Sequence, residues 1–415
     1  MVSFLLAVVT YFPHSPDPAA LQDAPPLLRE IIPSPTGANG LEEYLHAADI
    51  VRSPSVASAF QDFVKTPRGN AKYLDACRTV IANCGTTFSL ITAGNAKAVK
   101  DPRLAQKGDI KFKELPYFRR ISQILSIKAH VEFADGNPRA ATKTLVSALD
   151  FCSAVQGIGF YSHYLSGLAM QQVVLAEFKE DLARIPLTDW PHVEKLCDEA
   201  VANNPLKPVI DGSLTSFSNR LKTMLDGPAA SDDELSSYSE EAQQIYRRTR
   251  SLTPAEKADL EEKVMREASS AAKSLLVVLE SRESLWDAIL AKITQEEAAK
   301  KDPAVSFWLD LYWASSPSKI LTVEVRRRTQ LRLLKAMGRI EASRWKNGRL
   351  PAALAALDDQ TVFYDPICNK PFLYKPGIAT FELYSPGTQA TGRIDLVYVR
   401  GGSSDVSDES QPIKP

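Results

Sequence analysis

The chain has 415 residues, of which 44% are hydrophobic and 24% charged, and these proportions exclude a wholly disordered protein. Its 49 basic and 50 acidic residues leave a net charge of −1, so no global field favours nucleic acid or an anionic membrane. Five scattered cysteines without a C-x-x-C pair give no support to a zinc or thioredoxin-type site, and indicate reduced, mostly buried thiols.

The N-terminal region, residues 1–38, combines an apolar segment with a proline-rich linker. Val2–Phe12 is uncharged, but eleven residues are too few to span a bilayer as a helix. The segment is similar to the apolar core of a signal peptide, although no Lys or Arg precedes it. Either it packs on the body of the protein, or it belongs to a longer membrane anchor. Membrane contact through Val2–Phe12 therefore stays open, as does the localisation, in the cell envelope or the cytoplasm.

The next region, residues 39–322, predicts an irregular helical array. Its clearest part is a pair of helices between Tyr117 and Val155, separated by the sequence D-G-N-P. Gly136 suits the position after a helix end, and Pro138 suits the first turn of the next helix. The two helices carry apolar rows at helical spacing: Ile121, Leu125, Ala129 and Phe133 in the first, and Ala141, Leu145, Leu149 and Cys152 in the second. This pattern is typical of tetratricopeptide-like hairpins, although no second copy recurs at a fixed period.

A further helix is predicted after a polar stretch, Asp226–Glu240, which has the composition of an exposed loop. Thr253 and Glu256 form a capping box around a proline that suits the first helical position. The apolar rhythm continues through Leu285 and predicts one long helix as far as Ile293.

The last predicted helix, Val325–Pro351, contains nine Lys or Arg residues and one acidic residue. Its predicted apolar stripe consists of Leu331, Leu334, Met337, Ile340 and Trp345. The basic face could meet phosphates or an anionic membrane. We favour the alternative, in which acidic neighbours pair with these charges, because the whole chain is nearly neutral. The segment 323–400 comprises this helix and the β-rich stretch that follows it. The tail 401–415 is predicted to be disordered.

Motifs that carry chemistry are incomplete in this sequence. Glu43 and His46 have the E-x-x-H spacing of di-iron helices, but no second such pair exists. The five histidines lack the spacing of metal-dependent hydrolases. Ser316 and Lys319 match S-x-x-K without the elements that accompany it in acyl-serine enzymes. We therefore assign no catalytic, cofactor-binding or metal-binding residue and no cofactor from the sequence.

The C-terminal region carries a set of recognisable short motifs. They are Gly348-Arg349-Leu350-Pro351, Asp365-Pro366, Lys370-Pro371-Phe372, Tyr374, and Leu383-Tyr384-Ser385-Pro386-Gly387. Together they resemble the globular end of type II secretion pseudopilins. They resemble more closely the ending of uncharacterised, largely helical bacterial proteins. The resemblance implies a long helix followed by a small antiparallel β-meander, with no activity attached to it. Here the helix is basic and preceded by some 320 residues, unlike the membrane stem of a pseudopilin.

These observations predict a mainly α protein: an irregular helical array, a long helix and a small antiparallel β-meander. The predicted function is that of a non-enzymatic scaffold or protein-binding module whose concave surface binds a protein or peptide, with no nucleic acid partner. The alternative is a hydrolase-like enzyme with a site assembled between helices around Tyr161, His163 and carboxylates of neighbouring helices. A deep pocket that holds a His with two carboxylates would favour the enzyme, and a shallow groove would favour binding.

Overall fold

The computed structural model describes residues 26–105, 110–227, 239–299, 302–312, 317–357, 360–365, 367–378, 380–388 and 392–399. These residues are mainly helical, and the predicted fold class is confirmed. The helices are α1 (Leu27–Ile31), α2 (Gly40–Arg52), α3 (Pro54–Val64), α4 (Tyr73–Asn83), α5 (Thr87–Asn95), α6 (Leu115–Ala134), α7 (Pro138–Gln156), α8 (Tyr161–Asp181), α9 (Trp190–Ala202), α10 (Leu206–Asp226), α11 (Glu240–Arg250), α12 (Pro254–Glu280), α13 (Trp286–Ala299), α14 (Pro303–Tyr312) and α15 (Pro317–Asn347).

The predicted helical hairpin is the pair α6–α7. α6 ends at Ala134, and Gly136 follows with a φ of +76°, a conformation that favours glycine because it has no Cβ. The amide of Asn137 donates to the carbonyl of Glu132, and Pro138 opens α7. Both predicted apolar rows are buried. α8 packs against α6 and α7 together, and this three-helix layer positions the charged clusters described below.

The buried apolar residues form two clusters, which two helices join. The larger cluster contains residues of α1 to α7 and of α9, and the smaller one contains residues of α10 to α14. α8 contributes Tyr164 to the smaller cluster and Phe178 to the larger one, and α15 contributes Val325 and Leu334 in the same way. The predicted division between residues 322 and 323 falls inside α15, and the division into domains stays a prediction.

The long helix that we predicted through Ile293 is wrong, because the chain turns after Glu280. The predicted capping box is present: Thr253 Oγ1 accepts from the Glu256 amide, and Glu256 accepts in return from the Thr253 amide. At the other end, Ser281 adopts an extended conformation and a new helix begins at Trp286. The turn buries the Trp286 ring completely, which the apolar rhythm of a straight helix does not reveal.

The C-terminal strands follow α15, which ends before Gly348. β1 (Tyr364–Asp365) and β2 (Lys370–Pro371) form a short hairpin. β3 (Leu373–Pro376), β4 (Phe381–Thr388) and β5 (Gly392–Val399) form an antiparallel meander in that order, as predicted. Phe372, Phe381 and Leu383 are buried in the larger apolar cluster, to which α15 also contributes.

The recognisable C-terminal motifs serve as structural ties. The buried carboxylate of Asp365 accepts hydrogen bonds from Ser385 Oγ (2.7 Å), the Ile367 amide (2.9 Å) and Thr329 Oγ1 of α15 (3.3 Å). The hydroxyl of Tyr374 donates to the Pro351 carbonyl at 2.9 Å. These bonds fasten the strands to the helix, which agrees with a packing role for the motif residues.

Two further predictions concern the surface and the termini. Of the predicted stripe on α15, the first four residues are buried, but Trp345 is 59% exposed, so its assignment to the core is wrong. It lies in the last turn of the helix, where the stripe lacks cover from the described residues. None of the helices in the described ranges has the length and apolarity needed to cross a bilayer. Val2–Phe12 and residues 401–415 lie outside the described residues.

Candidate functional site

The histidine of the predicted alternative site lies in a buried charged cluster, called here the sealed cluster: Asp101, Arg103, Glu114 and His163. His163 comes from the first turn of α8, and Glu114 directly precedes α6. The Nε2 atom of His163 lies 2.9 Å from Oε1 of Glu114. Arg103 donates from Nε and Nη2 to Asp101 at 3.0 and 2.6 Å, and it also donates to Glu114.

The charges of the sealed cluster satisfy one another. Burial alone would raise the pKa of Glu114, but hydrogen bonds and ion pairs with His163 and Arg103 outweigh it and lower this pKa to about 2. Burial would likewise lower the pKa of Arg103, and its bonds to Asp101 and Glu114 raise it instead. The carboxylate of Glu114 and the guanidinium of Arg103 therefore stay charged over the physiological pH range.

The histidine and the two carboxylates of this cluster are shielded from solvent. The side chains of Asp101, Glu114 and His163 have 0% exposure and that of Arg103 has 7%. The ring of Phe112 packs edge-on against the His163 ring at 5.1 Å, between ring centroids. A histidine with two carboxylates close by is thus present, as the enzyme alternative requires, but it does not line a pocket open to a substrate.

The tyrosines beside His163 have packing roles. Tyr161 is 8% exposed and Tyr164 is fully buried, both in the smaller apolar cluster. The Tyr164 hydroxyl donates to Oε2 of Glu324 at 2.8 Å, and this carboxylate also accepts from Arg327. Burial raises the pKa of Tyr164 well above its usual value. Neither tyrosine is brought to an open catalytic arrangement.

A second cluster of His130, Glu177 and Asp181 lies where α6 packs on α8, and we call it the half-open cluster. Glu177 and Asp181 are one helical turn apart on α8 and face His130 of α6. Nδ1 of His130 lies 3.2 Å from Oε1 of Glu177 and 3.8 Å from Oδ2 of Asp181. The carboxylates are 6% and 7% exposed, and the His130 side chain is 24% exposed.

Arginines bind the outer oxygens of the half-open cluster. Arg68 Nη2 donates to Oε2 of Glu177 at 2.9 Å, and Arg184 Nη1 donates to Oδ1 of Asp181 at 2.9 Å. The inner atoms, Nδ1 of His130, Oε1 of Glu177 and Oδ2 of Asp181, have no hydrogen-bond partner among the described residues. Interactions with Asp181 and Glu177 raise the pKa of His130 to about 9 against the opposing effect of burial.

Sequence reasoning missed the half-open cluster. The two carboxylates recur at helical spacing on α8, which is a weak signal that many solvated helices share. His130 is 47 positions before Glu177, and only the packing of α6 on α8 brings them together. Of the E-x-x-H pair that we did single out, His46 is exposed as expected, whereas the Glu43 side chain is only 14% exposed and pairs with Lys97. Ser316 lies outside the described residues.

A cleft of about 300 Å³ opens between α5, α7, α9 and α15. Its polar lining consists of Asn95, Asp150, Ser153, Gln156, Asn203 and Arg327. Burial, and next the nearby charge of Glu199, raise the pKa of Asp150 to about 6. Asp150 has no hydrogen-bond or ion-pair partner among the residues that the structure describes. Arg327 is already bound to Glu324 and to the Ala200 carbonyl.

The basic face of α15 is largely neutralised by acidic neighbours, as we predicted. The pairs are Arg327 and Arg328 with Glu324, Arg328 and Arg332 with Glu283, Lys335 with Asp198, Arg339 with Glu194, and Arg344 with Glu341. The prediction that the thiols are mostly buried is also confirmed, because all five cysteines are free and all except Cys368 are buried.

No protein-family model, no curated protein and no solved structure matches this chain. The resemblance to pseudopilin-like bacterial proteins therefore stays a prediction.

Proposed function

We propose that the chain is a non-enzymatic helical scaffold that binds an extended peptide segment, with a basic side chain of the peptide opposite Asp150. The observation that carries the proposal is the environment of the Asp150 carboxylate. It is a partly buried carboxylate in an open cleft, without a partner among the described residues. Its raised pKa of about 6 means that ionisation is costly there, and a cationic ligand would remove much of this cost.

The remainder of the cleft suits a peptide backbone. Ser153 and Asn203 offer hydroxyl and amide groups at the surface of the cleft, and such groups both donate and accept hydrogen bonds. Arg327 adds little free positive charge, since its guanidinium is bound to Glu324 and to backbone carbonyls. With Glu199 close to Asp150, the local charge is negative and complements lysine or arginine.

The enzyme alternative has weaker support. Its central residue, His163, is fully buried, and Arg103 binds both carboxylates of the sealed cluster. A general base must come within hydrogen-bond reach of its substrate, and here the surrounding protein occupies that space.

The proposal is tested with an immobilised library of twelve-residue peptides, each synthesised with a central lysine and with a central glutamine. We expect a subset that binds only in the lysine form. Asp150→Asn should weaken this binding about tenfold, as loss of one partly desolvated charge pair predicts. Binding by the wild-type chain should also weaken below pH 6, because Asp150 becomes protonated there.

The matched control is Asp62→Asn, which removes an exposed carboxylate on α3, outside the cleft lining. It should leave the lysine-dependent binding unchanged. Binding that is equal in wild type and Asp150→Asn would refute the proposed cleft, and so would the absence of any lysine-dependent binding.

A further inference from the structure

We propose that His130, Glu177 and Asp181 bind one divalent transition-metal ion of the zinc class. The three candidate ligand atoms, one from each side chain, all lie within 4.8 Å of one another. A tetrahedral ion with bonds of about 2.0–2.1 Å places neighbouring ligand atoms about 3.3–3.4 Å apart. The distances from Nδ1 to the two carboxylate oxygens, 3.2 and 3.8 Å, bracket this value. The site is separate from the proposed peptide cleft.

The inner atoms face one another without forming hydrogen bonds, and this arrangement points to a ligand. Buried polar atoms are nearly always hydrogen-bonded, and each exception calls for a physical explanation. Here Nδ1 of His130, Oε1 of Glu177 and Oδ2 of Asp181 converge, and none has a hydrogen-bond partner in the described part of the chain. The two carboxylate side chains are more than nine-tenths buried. One cation between the three atoms would satisfy all of them together.

The surrounding charges hold the carboxylates in place and leave a negative surplus. Arg68 and Arg184 bind the outer oxygens of Glu177 and Asp181, which fixes the orientation of the inner oxygens. Arg68 also pairs with Glu180. The three carboxylates of Glu177, Glu180 and Asp181 therefore outnumber the two guanidinium groups by one, and a bound cation would compete with the His130 proton for this excess negative charge.

The ligand set selects the class of metal. One imidazole nitrogen and two carboxylate oxygens suit zinc or cobalt, whereas calcium needs six to eight oxygen ligands. The 24% exposure of the His130 side chain gives an ion an entry path, and three protein ligands would leave the fourth position of a tetrahedral ion for water. In the sealed cluster, by contrast, Arg103 already donates to both carboxylates. The side chains of Asp101, Glu114 and His163, which could otherwise bind a metal, are fully buried.

The test is titration of the full-length chain with Zn²⁺ by calorimetry, and with Co²⁺ by visible absorption. We expect one ion per chain and a Co²⁺ d–d spectrum without a thiolate charge-transfer band, since the proposed ligands include no cysteine. His130→Gln should weaken Zn²⁺ binding about 100-fold or more, because loss of a direct ligand costs at least as much as the roughly 10–100-fold that follows loss of an outer-shell partner. Asp181→Asn should weaken it by a similar factor.

The matched control is His192→Gln, which removes an exposed histidine on α9. It should bind Zn²⁺ as the wild type does. Circular dichroism without metal establishes that each variant is folded, and His130→Gln decides the outcome if Asp181→Asn does not fold. Equal Zn²⁺ binding by wild type and folded His130→Gln would overturn the proposal, as would the absence of saturable binding to the wild type.

Discussion

The sealed and half-open clusters contain the same three kinds of metal-capable group, a histidine, an aspartate and a glutamate, in opposite environments. In the sealed cluster, Arg103 lies between Asp101 and Glu114 and donates to both. In the half-open cluster, Arg68 and Arg184 bind the carboxylates from outside, and the inner atoms face one another. The position of the guanidinium groups thus separates a structural ion network from a site that can accept a cation.

The difference has an energetic side as well. A buried ion pair adds little net stability compared with apolar packing, but removal of one partner is costly because it leaves a charge without compensation. This applies to the sealed cluster, in which Asp101, Glu114 and His163 are fully buried. At the half-open cluster, water can replace a lost partner at the exposed edge of His130. Substitutions in the two clusters should therefore differ in their effects on stability and on metal binding.

The largest predicted effect is on stability. Glu114→Gln removes a charge that Arg103 and His163 both contact, and it should lower the free energy of unfolding by about 3–5 kcal/mol. Glu177→Gln is the matched change in the half-open cluster and should cost about 1 kcal/mol. Urea denaturation of both variants at neutral pH measures the difference. Equal losses would show that the two clusters do not differ in the way that we argue.

The sequence predicted the helices better than the contacts between them. The apolar rows of α6 and α7, Gly136 and the capping box at Thr253 are local signals, and the structure confirms them. The turn after Glu280 was missed because an apolar rhythm cannot show where a large ring such as Trp286 is buried. Local periodicity therefore predicted the helices but not the break between α12 and α13.

The clusters depend on tertiary packing, for which this sequence carries no pattern. His163 was named in the alternative site from its aromatic neighbours, but its partners Asp101 and Glu114 come from a different segment. His130 gave no signal at all, because its carboxylate partners lie on another helix. The near-zero net charge predicted that acidic residues pair with the basic face of α15, but it could not predict which residues these are.

An intermediate effect should follow from removal of an outer arginine. Arg68→Gln takes a positive charge away from Glu177 and Glu180, and the Arg68 side chain is 46% exposed, so it should cost about 1 kcal/mol of stability. If the half-open cluster binds Zn²⁺, the same change should weaken binding about tenfold, because Arg68 no longer fixes the orientation of the Glu177 carboxylate. Calorimetry at low ionic strength measures this, with Arg78→Gln on the surface of α4 as the control. Unchanged or tighter binding would contradict the role given to the outer arginines.

The last prediction concerns Asp150, whose effect on stability is confined to one side of its pKa; its partly buried carboxylate pairs with no arginine or histidine among the described residues. Its pKa is raised from a usual value of 3.8 to about 6, so the folded chain binds the proton more tightly than the unfolded chain does. The resulting contribution to stability is fully present below about pH 4 and is lost as the pH rises through 6. Asp150→Asn should therefore be more stable than the wild type above pH 6, by about 1 kcal/mol after allowance for solvent screening, and the difference should vanish below pH 4. Thermal unfolding of both chains from pH 4 to pH 8 measures the difference, and a pH-independent result would mean that solvent already compensates the Asp150 charge.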